Sequence, residues 1–279
     1  MMLCILLEPA FSLPMKRLLL TLAVLSLIPQ CKRSDALIIG TDATYPPFEF
    51  KSETGELAGV SIDMGKALGE YLGRPVEFRN IAFDGLITAL QTRSIDIIIS
   101  SMTANDERRK SLDFSAPYVT TGICLLLPKN SSIAKVEELK QGKRRIVTKI
   151  ATTGEQWSRA NLPNAEIVAL DSDPACVLEI SKGSADAWVY DQISVMNYAL
   201  ANPDTTKALL APIRIEEWAV GLRHGEEELR DKISAFIAKF RAEGSFDKVA
   251  VKYLAKERDY MKQQNLPFVF ELSATPGGQ

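Results

Sequence analysis

Short apolar runs alternate with amphipathic stretches along nearly the whole chain, and this alternation constrains the fold more than any single motif does. Strands are expected at Leu37 to Gly40, Val76 to Phe78, Ile95 to Ile99 and Ile123 to Leu127, then at Arg145 to Lys149, Ile167 to Leu170, Ala187 to Tyr190 and Trp218 to Leu222. Helical patterns fall between them, at Val60 to Leu72, Phe83 to Thr92, Val136 to Lys140, Glu155 to Asn161, Pro174 to Ser181 and Ile193 to Leu200. A long amphipathic helix, Glu226 to Glu243, stops at Gly244, and Phe246 to Leu254 closes the fold. In the first helix Ile62, Met64, Ala67, Leu68, Tyr71 and Leu72 carry the apolar pattern, and Gly73 and Pro75 end it. Runs such as Ile123 to Leu127 are apolar at successive positions, as strands covered on both faces must be. Strands alternating with helices imply an α/β fold with largely parallel sheets. The pattern restarts after Pro128-Lys129-Asn130-Ser131-Ser132 without an internal repeat, so two α/β units fit the length better than one.

The charges nearly cancel, 33 basic against 35 acidic, which gives no reason to expect a nucleic-acid partner. Four cysteines at 4, 31, 124 and 176 make no C-x-x-C or Cys/His cluster, and neither a metal site nor a cofactor is expected. Cys124 and Cys176 either pair or serve as small buried hydrophobes. Near the amino end, Met15-Lys16-Arg17 precedes an apolar run, Leu18 to Ile28, and then Pro29-Gln30-Cys31. Residues 1–31 read as a secretory leader too short to span a bilayer, with Met15 the better initiator. Cys31 resembles a lipoprotein cleavage site, although Gln30 departs from the small residue usual there. The expected location is therefore periplasmic, soluble or lipid-anchored.

Four segments taken in order carry a resemblance. They are Gly40-Thr41-Asp42-Ala43-Thr44-Tyr45-Pro46-Pro47-Phe48-Glu49-Phe50; Phe83-Asp84-Gly85-Leu86 through Ile95-Asp96; Ser100-Ser101-Met102-Thr103 through Arg108, with Asp113-Phe114-Ser115-Ala116-Pro117-Tyr118; and Ala151-Thr152-Thr153-Gly154-Glu155, with Ala185 to Asp191 downstream. Over about residues 36–255 the chain resembles the periplasmic amino-acid-binding proteins of ABC importers. The resemblance implies a two-lobed type II periplasmic-binding-protein fold, each lobe a mostly parallel sheet flanked by helices, joined by two crossover strands. Lobe 1 would hold 36–122 and 218–265, lobe 2 would hold 123–217, and 266–279 would be a flexible tail. It implies a monomer that delivers one amino acid to a membrane permease.

A zwitterion loses water when two lobes close on it, so each of its charged ends needs a partner. Ser100, Ser101 and Thr103 follow a strand at the edge where open α/β sheets bind ligands. Asn105-Asp106-Glu107 looks like a helix start, and Arg108 in its first turn can fork onto a carboxylate. The resemblance assigns that role to Arg108 and gives the ammonium to Asp191, which could equally cap the helix after it. Thr152 and Thr153 match a contacting turn whose usual glycine is Ala151 here. Tyr45 and Phe83 match positions that flank the ligand side chain. Asp42 matches a position at the ligand's far end, and Lys149 would share it. Lys149 disfavours a cationic side chain, whereas a Lys–Asp pair suits an amide. A glutamine-like ligand is therefore favoured over a basic one.

Two rivals share the fold. A cyclohexadienyl or arogenate dehydratase resemblance would call for a glutamate directly after the threonine turn, and this chain has Gly154 there. A ligand sensor would need a separate membrane partner. No enzyme is expected.

Overall fold

The computed structural model describes residues 35–271. In chain order the elements begin with β1 (Leu37–Thr41), β2 (Thr44–Tyr45), β3 (Glu49–Lys51), β4 (Leu57–Ala58), α1 (Val60–Leu72), β5 (Val76–Asn80), α2 (Leu86–Gln91), β6 (Ile97–Ile98), α3 (Asp106–Arg109) and β7 (Asp113–Pro128). They continue with β8 (Arg145–Lys149), α4 (Thr153–Asn161), β9 (Glu166–Leu170), α5 (Asp173–Ser181), β10 (Ala187–Asp191), α6 (Gln192–Ala201), β11 (Thr206–Leu222), α7 (Glu227–Ala242), α8 (Ser245–Tyr253) and α9 (Ala255–Gln263). Short 3-10 turns lie at Phe83–Gly85 and Val136–Lys140.

One eight-stranded sheet runs through both lobes in the order β5-β1-β6-β11-β7-β10-β8-β9. Its outer strands are parallel: β1 beside β5 and β6, and β8 beside β9 and β10. Its centre is antiparallel, because β7 leaves the first lobe and β11 returns to it alongside. The two crossovers pair in two stretches, with a register break between Leu209 and Arg214. Pro212 falls in that break, where it has no N–H to give a ladder. Gly122, paired with Ile215 just past the break, approaches it so closely that a Cβ there would come within 2.7 Å of Pro212 Cβ. The strands cross closely at this point only because one residue has no side chain.

Burial explains why the apolar runs are continuous. Along β7, Ile123, Leu125 and Leu127 face a core shared with Ile146, Leu162 and Val189, while Cys124 and Leu126 face the main core on the other side. In the first lobe α1 buries Val60, Met64 and Leu68 and ends at Gly73, whose left-handed φ of 64° lets its N–H reach Glu70 O. Cys124 and Cys176 are both buried thiols in the main core and are not paired.

Several expectations needed correction. The run Ile95 to Ile99 is buried throughout, but only Ile97–Ile98 forms ladder, so its apolarity reflects burial rather than strand length. The two crossovers are far longer than the apolar runs within them, because their polar residues also pair across the join. Helix α9 lacks an apolar stripe and buries only Met261, which hid it from periodicity. The chain from residue 266 is not a free tail at its start. Phe268, Val269 and Phe270 are buried, and Val269 O accepts from Thr120 N. The leader, Cys31 and residues 272–279 lie outside the described residues. Among the described residues no helix is long and apolar enough to cross a membrane.

Candidate functional site

The parallel strands of both lobes point their carboxyl ends at one cavity. All eleven residues singled out from the sequence line it, together with Glu49 and Tyr190. Asp42 and Tyr45 arrive after β1, Phe83 after β5, and Ser100, Ser101 and Thr103 after β6; Arg108 comes from α3. From the other lobe come Lys149 at the end of β8, Thr152 and Thr153 at the start of α4, and Asp191 at the end of β10.

Local sequence sets each of these groups. Asn105 caps α3, its Oδ1 accepting from Arg108 N at 2.9 Å, so the arginine leaves the first turn toward the cavity. Its guanidinium donates Nη1 to Thr103 O at 2.9 Å and Nη2 across the cleft to Ala151 O at 3.1 Å. It also lies 5.3 Å from the centroid of the Phe83 ring. Burial pushes its pKa down to about 10 against the attraction of Glu216, so it stays cationic at neutral pH. A guanidinium has five donors, and two are spent on these carbonyls.

Across the cavity Asp191 stands at the N-cap position of α6 but makes no capping bond. Its Oδ1 is sealed from solvent without a partner of normal hydrogen-bond geometry among the described residues, as is the nearby Tyr45 hydroxyl. Burial raises the pKa of Asp191 well above the usual carboxylate range, and Glu216 and Asp173 add to the rise. A cation placed beside it would reverse that shift.

The threonine turn answers the question posed by Ala151. This alanine takes the left-handed conformation, φ 62°, that glycine would adopt more easily. Its N–H donates to Glu155 Oε2 at 2.7 Å, while Thr152 caps α4 and donates its own hydroxyl to Lys149 O at 2.7 Å. The Thr152 hydroxyl is therefore occupied in shaping the turn. Ser100 is similarly engaged, its Oγ accepting from Asp42 N at 2.9 Å.

At the far end Lys149 Nζ, on a residue only 3% exposed, lies 2.9 Å from Asp42 Oδ2, 3.2 Å from Thr44 Oγ1 and 3.8 Å from Asp173 Oδ1. Burial works against its charge, but the two aspartates outweigh it and the pKa is raised. Asp173, buried at the start of α5, is pushed up to about 6 by burial, with Lys149 opposing. Glu49 accepts from Ser61 Oγ at 2.6 Å and Ser101 Oγ at 3.1 Å, and burial pushes it up to about 8 despite those bonds.

Reasoning from the sequence missed Glu49, Tyr190, Asp173 and Glu216. Glu49 carried a signal, a carboxylate between two phenylalanines in a short strand. Asp173, just before Pro174, looks like an ordinary helix start. Glu216 precedes a buried strand end and gives no sign of its contacts.

Two lobes on a shared sheet, with charged groups from each facing one cavity, are the architecture of a solute-binding protein. The comparisons agree. The family model for bacterial extracellular solute-binding proteins, family 3, matches residues 37–256, and the chain belongs to that family. It is 28% identical over 232 residues to the L-cystine-binding protein TcyJ of Escherichia coli, covering 83% of this chain and 87% of that one. It is 33% identical to an L-arginine-binding protein of Pseudomonas aeruginosa, covering 85% and 94%. Among solved structures it is similar to the ancestral amino acid-binding protein AncCDT-1, a precursor of cyclohexadienyl dehydratase, with TM-score 0.72 and 34% identity over 78% of this chain and 95% of that one.

Proposed function

We propose that this extracytoplasmic protein binds one α-amino acid between its lobes and hands it to an ABC permease. One observation carries the reading: a buried guanidinium with donors to spare and a buried carboxylate oxygen with no partner of normal hydrogen-bond geometry among the described residues face the same cavity from opposite lobes. Arg108 takes the ligand carboxylate. Asp191 takes the ammonium. Each lobe supplies half of the site, so ligand contact favours closure. The lobes comprise 36–122 with 218–265, and 123–217, and they exchange chain where β7 and β11 cross. Thermal-shift screening against the twenty amino acids and cystine tests the reading, because a ligand far above its dissociation constant adds several kcal/mol of stability. A screen with no shift for any of them defeats it.

The side chain of the ligand meets Lys149 already pinned by Asp42 and Asp173. A group that both donates and accepts, as an amide does, replaces both halves of the Lys149–Asp42 pair. A guanidinium satisfies Asp42 but stands against Lys149. The relatives named above bind arginine and cystine, so glutamine, arginine and cystine are the ligands to compare first.

Catalysis is not part of this proposal. In the slot where the dehydratase reading needs a glutamate, Gly154 packs so tightly on β10 that a Cβ would fall 2.2 Å from Val189 O. A side chain there would displace α4 and the threonine turn with it. Turnover of arogenate by the pure protein would reinstate the enzyme reading.

A further inference from the structure

Two of the cavity hydroxyls are held by a residue that does not line the cavity. Thr103 Oγ1 and Thr153 Oγ1 both donate to Glu216 Oε2, at 2.8 and 2.7 Å. Thr103 follows β6 in the first lobe, Thr153 opens α4 in the second, and Glu216 lies on the crossover strand β11. Arg214, two residues earlier, donates Nε at 3.0 Å and also Nη2 to the other oxygen, Oε1. Glu216 is only 3% exposed. A single carboxylate oxygen thus ties both lobes to the strand that connects them.

The proton count has a consequence for the ligand. A hydroxyl carries one proton and two acceptor lone pairs, and an ionised carboxylate only accepts. Both threonine protons are committed to Glu216, so toward the cavity these oxygens offer lone pairs. Lone pairs suit an ammonium and repel a carboxylate. With Asp191 Oδ1 they make three acceptors, the number of N–H donors on a primary ammonium. Had Glu216 been absent, the same hydroxyls could turn their protons to a ligand carboxylate instead.

We propose that Glu216 is a positioning residue that latches the two lobes together and orients the Thr103 and Thr153 hydroxyls as acceptors, so that the site selects a primary amine. The latch stands on the structure alone. The amine selection rests on the amino-acid reading above.

The experiment has two arms on the full chain. In the first, small-angle scattering without ligand compares wild type with Glu216→Ala. The variant is expected to have the larger radius of gyration, and an unchanged radius overturns the latch. In the second, calorimetry measures L-glutamine, L-arginine and L-cystine, each beside its counterpart without the α-amine, such as glutaramate for glutamine. In Glu216→Gln, Arg214 keeps the amide oxygen and turns the amide N–H₂ onto the threonines, which frees their protons toward the cavity. The amino acid that wild type binds tightest should then weaken roughly tenfold or more, while its amine-free counterpart holds or gains. Thr153→Val, which leaves Glu216 in place, should weaken the amino acid selectively as well. Equal losses for both members of the pair, or no loss, overturn the orienting role. If wild type binds none of the twenty amino acids nor cystine, the amino-acid reading fails, and the scattering arm still decides the latch.

Discussion

At one end of the cavity Arg108 and Asp191 face each other with hydrogen-bonding capacity to spare, while at the other Lys149 is already hydrogen-bonded to Asp42 and has Asp173 Oδ1 3.8 Å away as a second counter-charge. The difference separates two tasks. An end with unmet donors and acceptors gains on binding, since the ligand supplies what burial removed. An end that is internally paired gains little, because an incoming group must first replace an existing ion pair. On the proposed reading, the first end supplies affinity for any α-amino acid. The second discriminates among side chains by how well each substitutes for the pair it breaks.

The comparison can be broken most directly at Arg108. Arg108→Ala is expected to cost about 3–5 kcal/mol of binding for every amino acid tested by calorimetry, since the buried ligand carboxylate loses the cation proposed to pair with it. A loss that depends strongly on the side chain would show that the two ends do not divide the work as argued. Next in size is Lys149→Met. Removing the cation is expected to favour arginine over glutamine by about 2 kcal/mol relative to wild type, from the repulsion it relieves near 5 Å. It also leaves Asp42 and Asp173 without their cation, so the melting temperature without ligand should fall.

Glu49 sharpens the contrast through pH. Its folded pKa of about 8 lies above the ordinary 4.5, so between those values the folded state holds a proton that the unfolded state has lost. This group's stabilising contribution is full below about 4.5 and is lost as pH rises to about 8. Urea midpoints of Glu49→Gln should fall less steeply with pH than those of wild type over that window. The smallest effect belongs to Ala151→Gly. Relief of the left-handed alanine, about 1 kcal/mol or slightly more, is partly offset by the freer unfolded chain, for a net gain of about 0.5 kcal/mol by denaturant titration. The gain should leave Arg108 and Asp191 undisturbed, and a change in ligand affinity would show that the turn geometry itself sets the distance between them.

Much of this architecture was readable from residue order. Helix α1 matches its expected span from Val60 to Leu72, and β8 matches from Arg145 to Lys149, because each combines clear periodicity with clear stop signals. The groups gathered at the cavity were recognisable because they sit in short motifs after strands, where topology delivers them to one edge, and because those motifs resemble the family's. The crossovers β7 and β11 were seen only in part. Their polar residues, such as Thr120, Thr121, Glu216 and Glu217, belong to the ladder through pairing with distant chain and not through any local pattern.

Which residues would line the cavity could be named before the fold was known, partly because strand ends and helix starts are local chemistry and partly because the resemblance assigned Arg108 and Asp191 their expected roles. Which of those groups were already spoken for could not. Thr152 turned out to be engaged by Lys149 O, Lys149 by Asp42 and Asp173, and Thr103 and Thr153 by Glu216 more than sixty residues further on. Sequence spacing fixes where a donor or acceptor can be presented, but a hydrogen bond consumes it only when tertiary packing sets a partner about 3 Å away.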